Sequence, residues 1–181
     1  MKKLLLALTV VLELTAARGQ TGKYDSLRYS VEAIIDWKYN GTINIYDKPD
    51  GKIIDSIKND STNEDYLQLT IFDETENYFY VSISRQKAGK RGWIKKANYI
   101  GAYAKAGQAH NKKSPIDLTI YQDKKVSDTG KVVIKDYKSE LLTIEKYTNK
   151  WAFISLTRNG ETYKGWIETD KLCANSYTYC N

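Results

Sequence analysis

From residue 29 onward the chain keeps a hydrophobic period of two. Tyr29, Val31, Ala33, Ile35 and Trp37 alternate with Ser30, Glu32, Ile34, Asp36 and Lys38, the pattern of a strand with one buried face. Leu67, Leu69 and Ile71 alternate next, "DETEN" reads as a hairpin loop, and Phe79, Val81 and Ile83 follow. Further on, Leu142 and Ile144, the loop "KYTNK", and then Ala152, Ile154 and Leu156 repeat that plan. No stretch after residue 20 carries a helical period, and the β-branched and tyrosine content favours strands. Short strands at this density, separated by turn residues, predict an all-β protein of small barrels.

The blocks occur twice. "NYFYVSISR" at 77–85 aligns with "KWAFISLTR" at 150–158, a shift of 73. At the same shift "LTI" at 69–71 falls on "LTI" at 142–144, and Gly92-Trp93-Ile94 falls on Gly165-Trp166-Ile167. Upstream the shift is 75, where "INIYD" at 43–47 matches "LTIYQ" at 118–122, so one loop differs by two residues. A spacing this long indicates two whole domains rather than solenoid units. The expected domains are 29–105 and 116–181, joined by a polar, proline-terminated linker at 106–115, "AGQAHNKKSP".

The N-terminus changes the expected compartment. Lys2 and Lys3 precede the apolar run Leu4 to Leu12, and Ala17 and Gly19 form a small-residue cleavage site, so residues 1–19 read as a signal peptide with Gln20 as the first mature residue. A membrane anchor needs about 20 apolar residues, and Glu13 interrupts this run. The expected product is periplasmic or secreted, with no transmembrane anchor. Removing the leader takes away Lys2, Lys3, Arg18 and Glu13, a net +2, and lowers the charge from +6 to +4. That excess is spread along the chain, without the dense footprint nucleic acid requires. The two cysteines, Cys173 and Cys180, lie within the last nine residues. In an oxidising compartment they are expected to pair across "CANSYTYC", since no second Cys or His pair completes a metal site.

"INIYDKPDGKIIDSI", "YFYVSI" and "GKRGWIKKANYI" together resemble the bacterial SH3-like (Src-homology-3-like) domain family. Ile43, Asn44, Ile45 and Pro49 match its opening, Tyr78-Phe79-Tyr80-Val81 its Trp-Tyr strand, and Gly92-Trp93-Ile94 its closing strand. Tyr46 stands where the family usually has Arg. The second copy keeps Leu118, Ile120, Trp151, Ile154 and Gly165-Trp166-Ile167, but has Thr119 in place of Asn and lacks the proline. The resemblance implies two tandem SH3-like barrels acting as binding modules for peptidoglycan or peptides.

Catalysis is not expected. His110 is the only histidine and falls in the linker, and no P-loop, dinucleotide fingerprint or zinc signature occurs. No cofactor or metal is expected either. Candidate chemistry is aromatic: fifteen tyrosines and four tryptophans, residue types that bury area while keeping a polar handle. By alternation Tyr78 and Tyr80 point away from Phe79 and Val81, toward an outer groove; Trp151 and Phe153 correspond in the second copy. With Tyr46, Trp93, Tyr121 and Trp166 they make one candidate patch per barrel, although Trp93 and Trp166 fit a barrel core equally well. The expected function is a secreted, non-catalytic envelope module recognising peptidoglycan stem peptides or a protein segment. The alternative is an inhibitor or immunity-type protein that binds a toxin or wall hydrolase. Ser26, Ser56 and Ser61 follow aspartates in a pattern resembling O-glycosylation sites, but plain turn serines explain them.

Overall fold

Each alternating segment forms a strand. The computed structural model describes residues 30–62, 67–84, 89–105, 116–148 and 150–174. The leader at 1–19, the linker at 106–115, Ser26, His110 and Cys180 lie outside the described residues. The first unit holds β1 (Val31–Ile35), β2 (Gly41–Tyr46), β3 (Ile53–Asn59), β4 (Gln68–Glu74), β5 (Tyr78–Ser84) and β6 (Lys90–Lys95), followed by β7 (Ile100–Ala104). Then come β8 (Ile116–Tyr121), β9 (Lys131–Tyr137), β10 (Leu142–Thr148), β11 (Trp151–Arg158) and β12 (Glu161–Glu168). A 3-10 turn, Thr169–Lys171, leads into β13 (Leu172–Cys173).

Two closed barrels do not form. The described strands pair antiparallel along one continuous path, β3-β2-β6-β5-β4-β1-β7-β10-β11-β12-β8-β9, with β13 on β7. β3 and β9 are edges, each laddered to one neighbour only among the described residues. β3 has little to bury: Ile53 and Ile54 are exposed, and Ser56 and Lys58 face solvent. Side chains tie these edges across instead. Asn59, ending β3, donates from Nδ2 to the carbonyls of Tyr39 (2.6 Å) and Asp36 (3.3 Å), just past β1. Tyr137, ending β9, accepts from the Ala104 N–H of β7 (3.1 Å) and donates to the Glu140 carbonyl (2.6 Å).

The two units share a strand. β7 lies beside β1 as β13 lies beside β7, and β7 pairs with β10 as β1 pairs with β4. It therefore ends the first unit and begins the second. Its neighbours approach closely: a Cβ on Gly101 would strike the Leu142 backbone carbonyl. The repeated Gly92 and Gly165 have a related purpose. β2 meets β6 at a single register pair, Tyr46 with Trp93, and β8 meets β12 only at Tyr121 with Trp166. A Cβ at either glycine would lie 2.9 Å from the Tyr46 or Tyr121 carbonyl.

Burial follows this topology. β1 is central, so Ala33, Ile34 and Ile35 are all buried, and Ile34 does not face solvent as alternation predicts. Trp37 falls in the turn after β1 and is 53% exposed, outside the core that alternation assigns it to. One hydrophobic cluster runs through both units, from Val31 and Phe79 to Ile154 and Leu172. Lys96 clips the units together at its margin. It pairs with Glu74 (2.6 Å), donates to the Glu145 carbonyl (3.0 Å) and lies 4.6 Å from the Phe79 ring centroid.

Buried and half-buried tyrosines make the fold sensitive to alkali. Burial pushes the hydroxyls of Tyr99 and Tyr147 up to about 12, and that of Tyr137 higher still. A raised folded-state value favours the neutral phenol, so this stability is fully present below the unfolded value near 10 and lost as pH rises through about 12. Among the described residues the Tyr147 hydroxyl has no hydrogen-bond partner. Tyr147→Phe should therefore raise stability by about 1 kcal/mol at neutral pH, the cost of an unsatisfied buried hydroxyl. The gain should widen between pH 10 and 12. Urea midpoints across that range check it; an equal or lower midpoint for the variant contradicts the assignment.

Candidate functional site

The sheet's outer face carries the same aromatic row in both units. In the first, register pairing sets Tyr46 beside Trp93 and Trp93 beside Tyr80 across β2, β6 and β5. Tyr80 and Trp93 pack with centroids 5.3 Å apart, and Phe72 of β4 lies 6.3 Å from Tyr80. In the second, Tyr121, Trp166 and Phe153 occupy the matching register, with Phe153 and Trp166 at 5.1 Å. All of these rings are half-buried. Their inward neighbours Ile94 and Ile167 are buried. Trp93 and Trp166 thus belong to the outer row and not to the core.

Each row continues through a second pair. Tyr46 meets Tyr78 edge-on at 5.6 Å, and Tyr121 meets Trp151 edge-on at 6.0 Å. Here the units differ. Trp151 is half-buried, whereas Tyr78 is only 2% exposed and its hydroxyl donates to Asp50 Oδ1 at 3.0 Å. Tyr78 shares the outer face with Tyr80, as alternation requires, but the turn bearing Asp50 covers it. It is not available to a ligand.

Three members of the face escaped the sequence reading. Phe72 lies on the outer face beside Thr70, at the bulge between Ile71 and Asp73 in the β4–β5 pairing. The matching bulge in the β10–β11 pairing places Glu145 at its counterpart. Two cations lie over the rings: Arg91 Cζ is 5.3 Å from the Phe72 centroid, and Lys124 Nζ is 5.1 Å from that of Trp166. Both are exposed, so each contact contributes only about 0.5–1 kcal/mol. Residue order gives no signal for these pairs, which form across strands and loops.

Electrostatics around the second row are largely spent internally. Burial raises the Glu145 carboxyl, but hydrogen bonds from Lys164 and Ser155 outweigh it and hold the group below the usual range. Among the described residues no cluster of His, Cys, Asp and Glu gathers where it could hold a metal ion. Cys173 is disulfide-bonded, and the chain's one other cysteine is Cys180. Comparison of the chain with family models, curated proteins and solved structures gives no match.

Proposed function

We propose that this chain is a non-catalytic binding module of the bacterial cell envelope, built from two diverged SH3-like units. It takes a peptide-bearing wall polymer or a protein segment on its aromatic outer faces. The observation carrying this reading is the duplicated row: Tyr46–Trp93–Tyr80 and Tyr121–Trp166–Phe153 hold the same register positions and remain half-buried in both units. Aromatic side chains with one open face are the usual anchors of recognition surfaces. The strand order β3-β2-β6-β5-β4, recurring as β9-β8-β12-β11-β10, supports two copies of one small β-unit. Export is supported by the leader-like 1–19 segment and by the disulfide at Cys173, a state an oxidising compartment maintains.

Sedimentation of the mature protein with purified wall sacculi tests the proposal. Trp93→Ala and Trp166→Ala should each weaken retention by roughly thirtyfold, the loss of an anchor worth about 2 kcal/mol. Their melting temperatures should fall far less than that of a core variant. Absence of wild-type protein from the pellet at low salt, or full retention of both variants, counts against it.

A further inference from the structure

Beside the aromatic row, the first unit's outer face holds a cleft of about 220 Å³. Glu32 of β1, Gln68 and Thr70 of β4, and Ser82 and Ser84 of β5 wall it, and the chain closes its rim at Cys173. Register places Glu32, Thr70 and Ser82 in one line across three strands, and Arg91 of β6 continues that line. Thr70 and Ser82 stand two residues along their strands from Phe72 and Tyr80, so cleft and aromatic row share one surface.

Among the described residues, the five polar side chains of this cleft have no ion pair or side-chain hydrogen bond of their own. Their counterparts in the second unit are committed. Thr143, matching Thr70, donates to the Asn98 carbonyl at 2.9 Å. Ser155, matching Ser82, helps hold the Glu145 carboxyl below the usual range. Thr157, matching Ser84, shares a 3.0 Å hydrogen bond with Thr162. Gly101 and Leu141 stand where the first unit has Glu32 and Gln68. The repeat architecture therefore does not require an uncommitted polar line; one copy has it and the other does not.

Charge narrows the ligand. Lysine and arginine outnumber aspartate and glutamate, 28 to 22. Several carboxylates on or beside the sheet have taken a cation: Asp55 with Lys90, Glu74 with Lys96, Glu145 with Lys164, Glu140 with Arg158. Among the described residues Glu32 has not, and it shares the cleft with the hydroxyls of Thr70, Ser82 and Ser84. An ammonium group supplies three donors to that set, and hydrogen bonds to a charged acceptor are the stronger kind. At the far end of the line the Arg91 guanidinium suits a carboxylate. Three strand spacings of about 4.8 Å separate the ends, roughly the reach of four extended residues.

We propose that this cleft binds a short peptide in extended form, its free amine at Glu32 and its carboxylate toward Arg91. The inference rests on the outer-face binding reading and names the ligand class for the first unit. Tetra-alanine with free ends is the probe, titrated into the full mature protein while backbone amide NMR shifts are followed. Thr70 and Ser82 should shift, and Thr143 and Ser155 should not. N-acetylation of the peptide, or Glu32→Gln, should weaken binding at least tenfold; C-terminal amidation, or Arg91→Gln, should do likewise. Equal binding of the acetylated peptide, an unaffected Glu32→Gln variant, or no shift at Thr70 and Ser82 up to about 10 mM overturns the proposal. So does binding of an N-acetylglucosamine oligomer, and not the peptide, at those residues. If Glu32→Gln leaves peptide binding unchanged while Trp93→Ala loses sacculus retention, the cleft reading fails and the module reading stands. Loss of neither retention nor peptide binding in any variant removes both.

Discussion

Gly101→Ala should destabilise the protein by roughly 3 kcal/mol or more and should broaden or split its unfolding transition. The added Cβ would press on the Leu142 carbonyl and the Leu141 side chain, and the backbone carbonyl cannot turn aside as a flexible side chain would. Overpacking of this kind typically costs 1–3 kcal/mol, about the upper end or beyond where backbone must move. Its place makes the effect cooperative as well as local. Among the described residues β7 alone pairs with both β1 and β10, so separating it from β10 loosens the joint between units. Wild-type protein should unfold in one transition by fluorescence and circular dichroism, and the variant should show non-coincident curves. A variant that melts as one transition within a degree of wild type would show that the strands can part without cost.

Phe79→Ala should cost about 3–5 kcal/mol, the range for deleting a buried phenylalanine. Phe79 is fully buried, and its ring also receives the Lys96 ammonium that binds Glu74 and the Glu145 carbonyl. Truncation leaves a cavity and removes the ring beneath that clip. A domain of this size holds only about 5–15 kcal/mol in total, so the variant should lose much of its urea resistance. Tyr80→Ala, one residue along and half-buried on the outer face, should lose far less. Urea midpoints for the pair measure the contrast; a comparable loss in both would mean that the outer row supports the fold instead of serving a ligand.

The legible parts of this protein depend on local periodicity. Alternation placed Leu69, Ile71, Phe79, Val81, Ile83, Ile144 and Ile154 inside, because a pleated strand turns every second side chain the same way. The internal match of Gly92-Trp93-Ile94 with Gly165-Trp166-Ile167 marked two related units. It also pointed to the aromatic positions that assemble on the outer face. Exposure of those positions was less legible. Tyr78 and Trp151 are counterparts on corresponding strands, yet one is covered by a turn and the other is not.

What the tertiary structure alone decided is how the units meet. β1 and β7 correspond at a shift of 69, as Ala33 and Ala102 show, but "VEAII" and "IGAYA" share only that alanine. Sequence order assigns β7 to the first unit, while its ladder to β10 makes it equally the opening strand of the second. Whether a unit closes is likewise a matter of which edges come within hydrogen-bonding reach, and Asn59 and Tyr137 bridge by side chain where no ladder forms. The same holds for the uncommitted cleft. Thr70 and Thr143 are the same residue in the same register, and only the neighbours folded beside them determine that the Thr143 hydroxyl is occupied and that of Thr70 is open. Side-chain periodicity is set by the backbone one strand at a time, so a sequence carries it; pairing partners come from distant segments, and only the folded chain selects them.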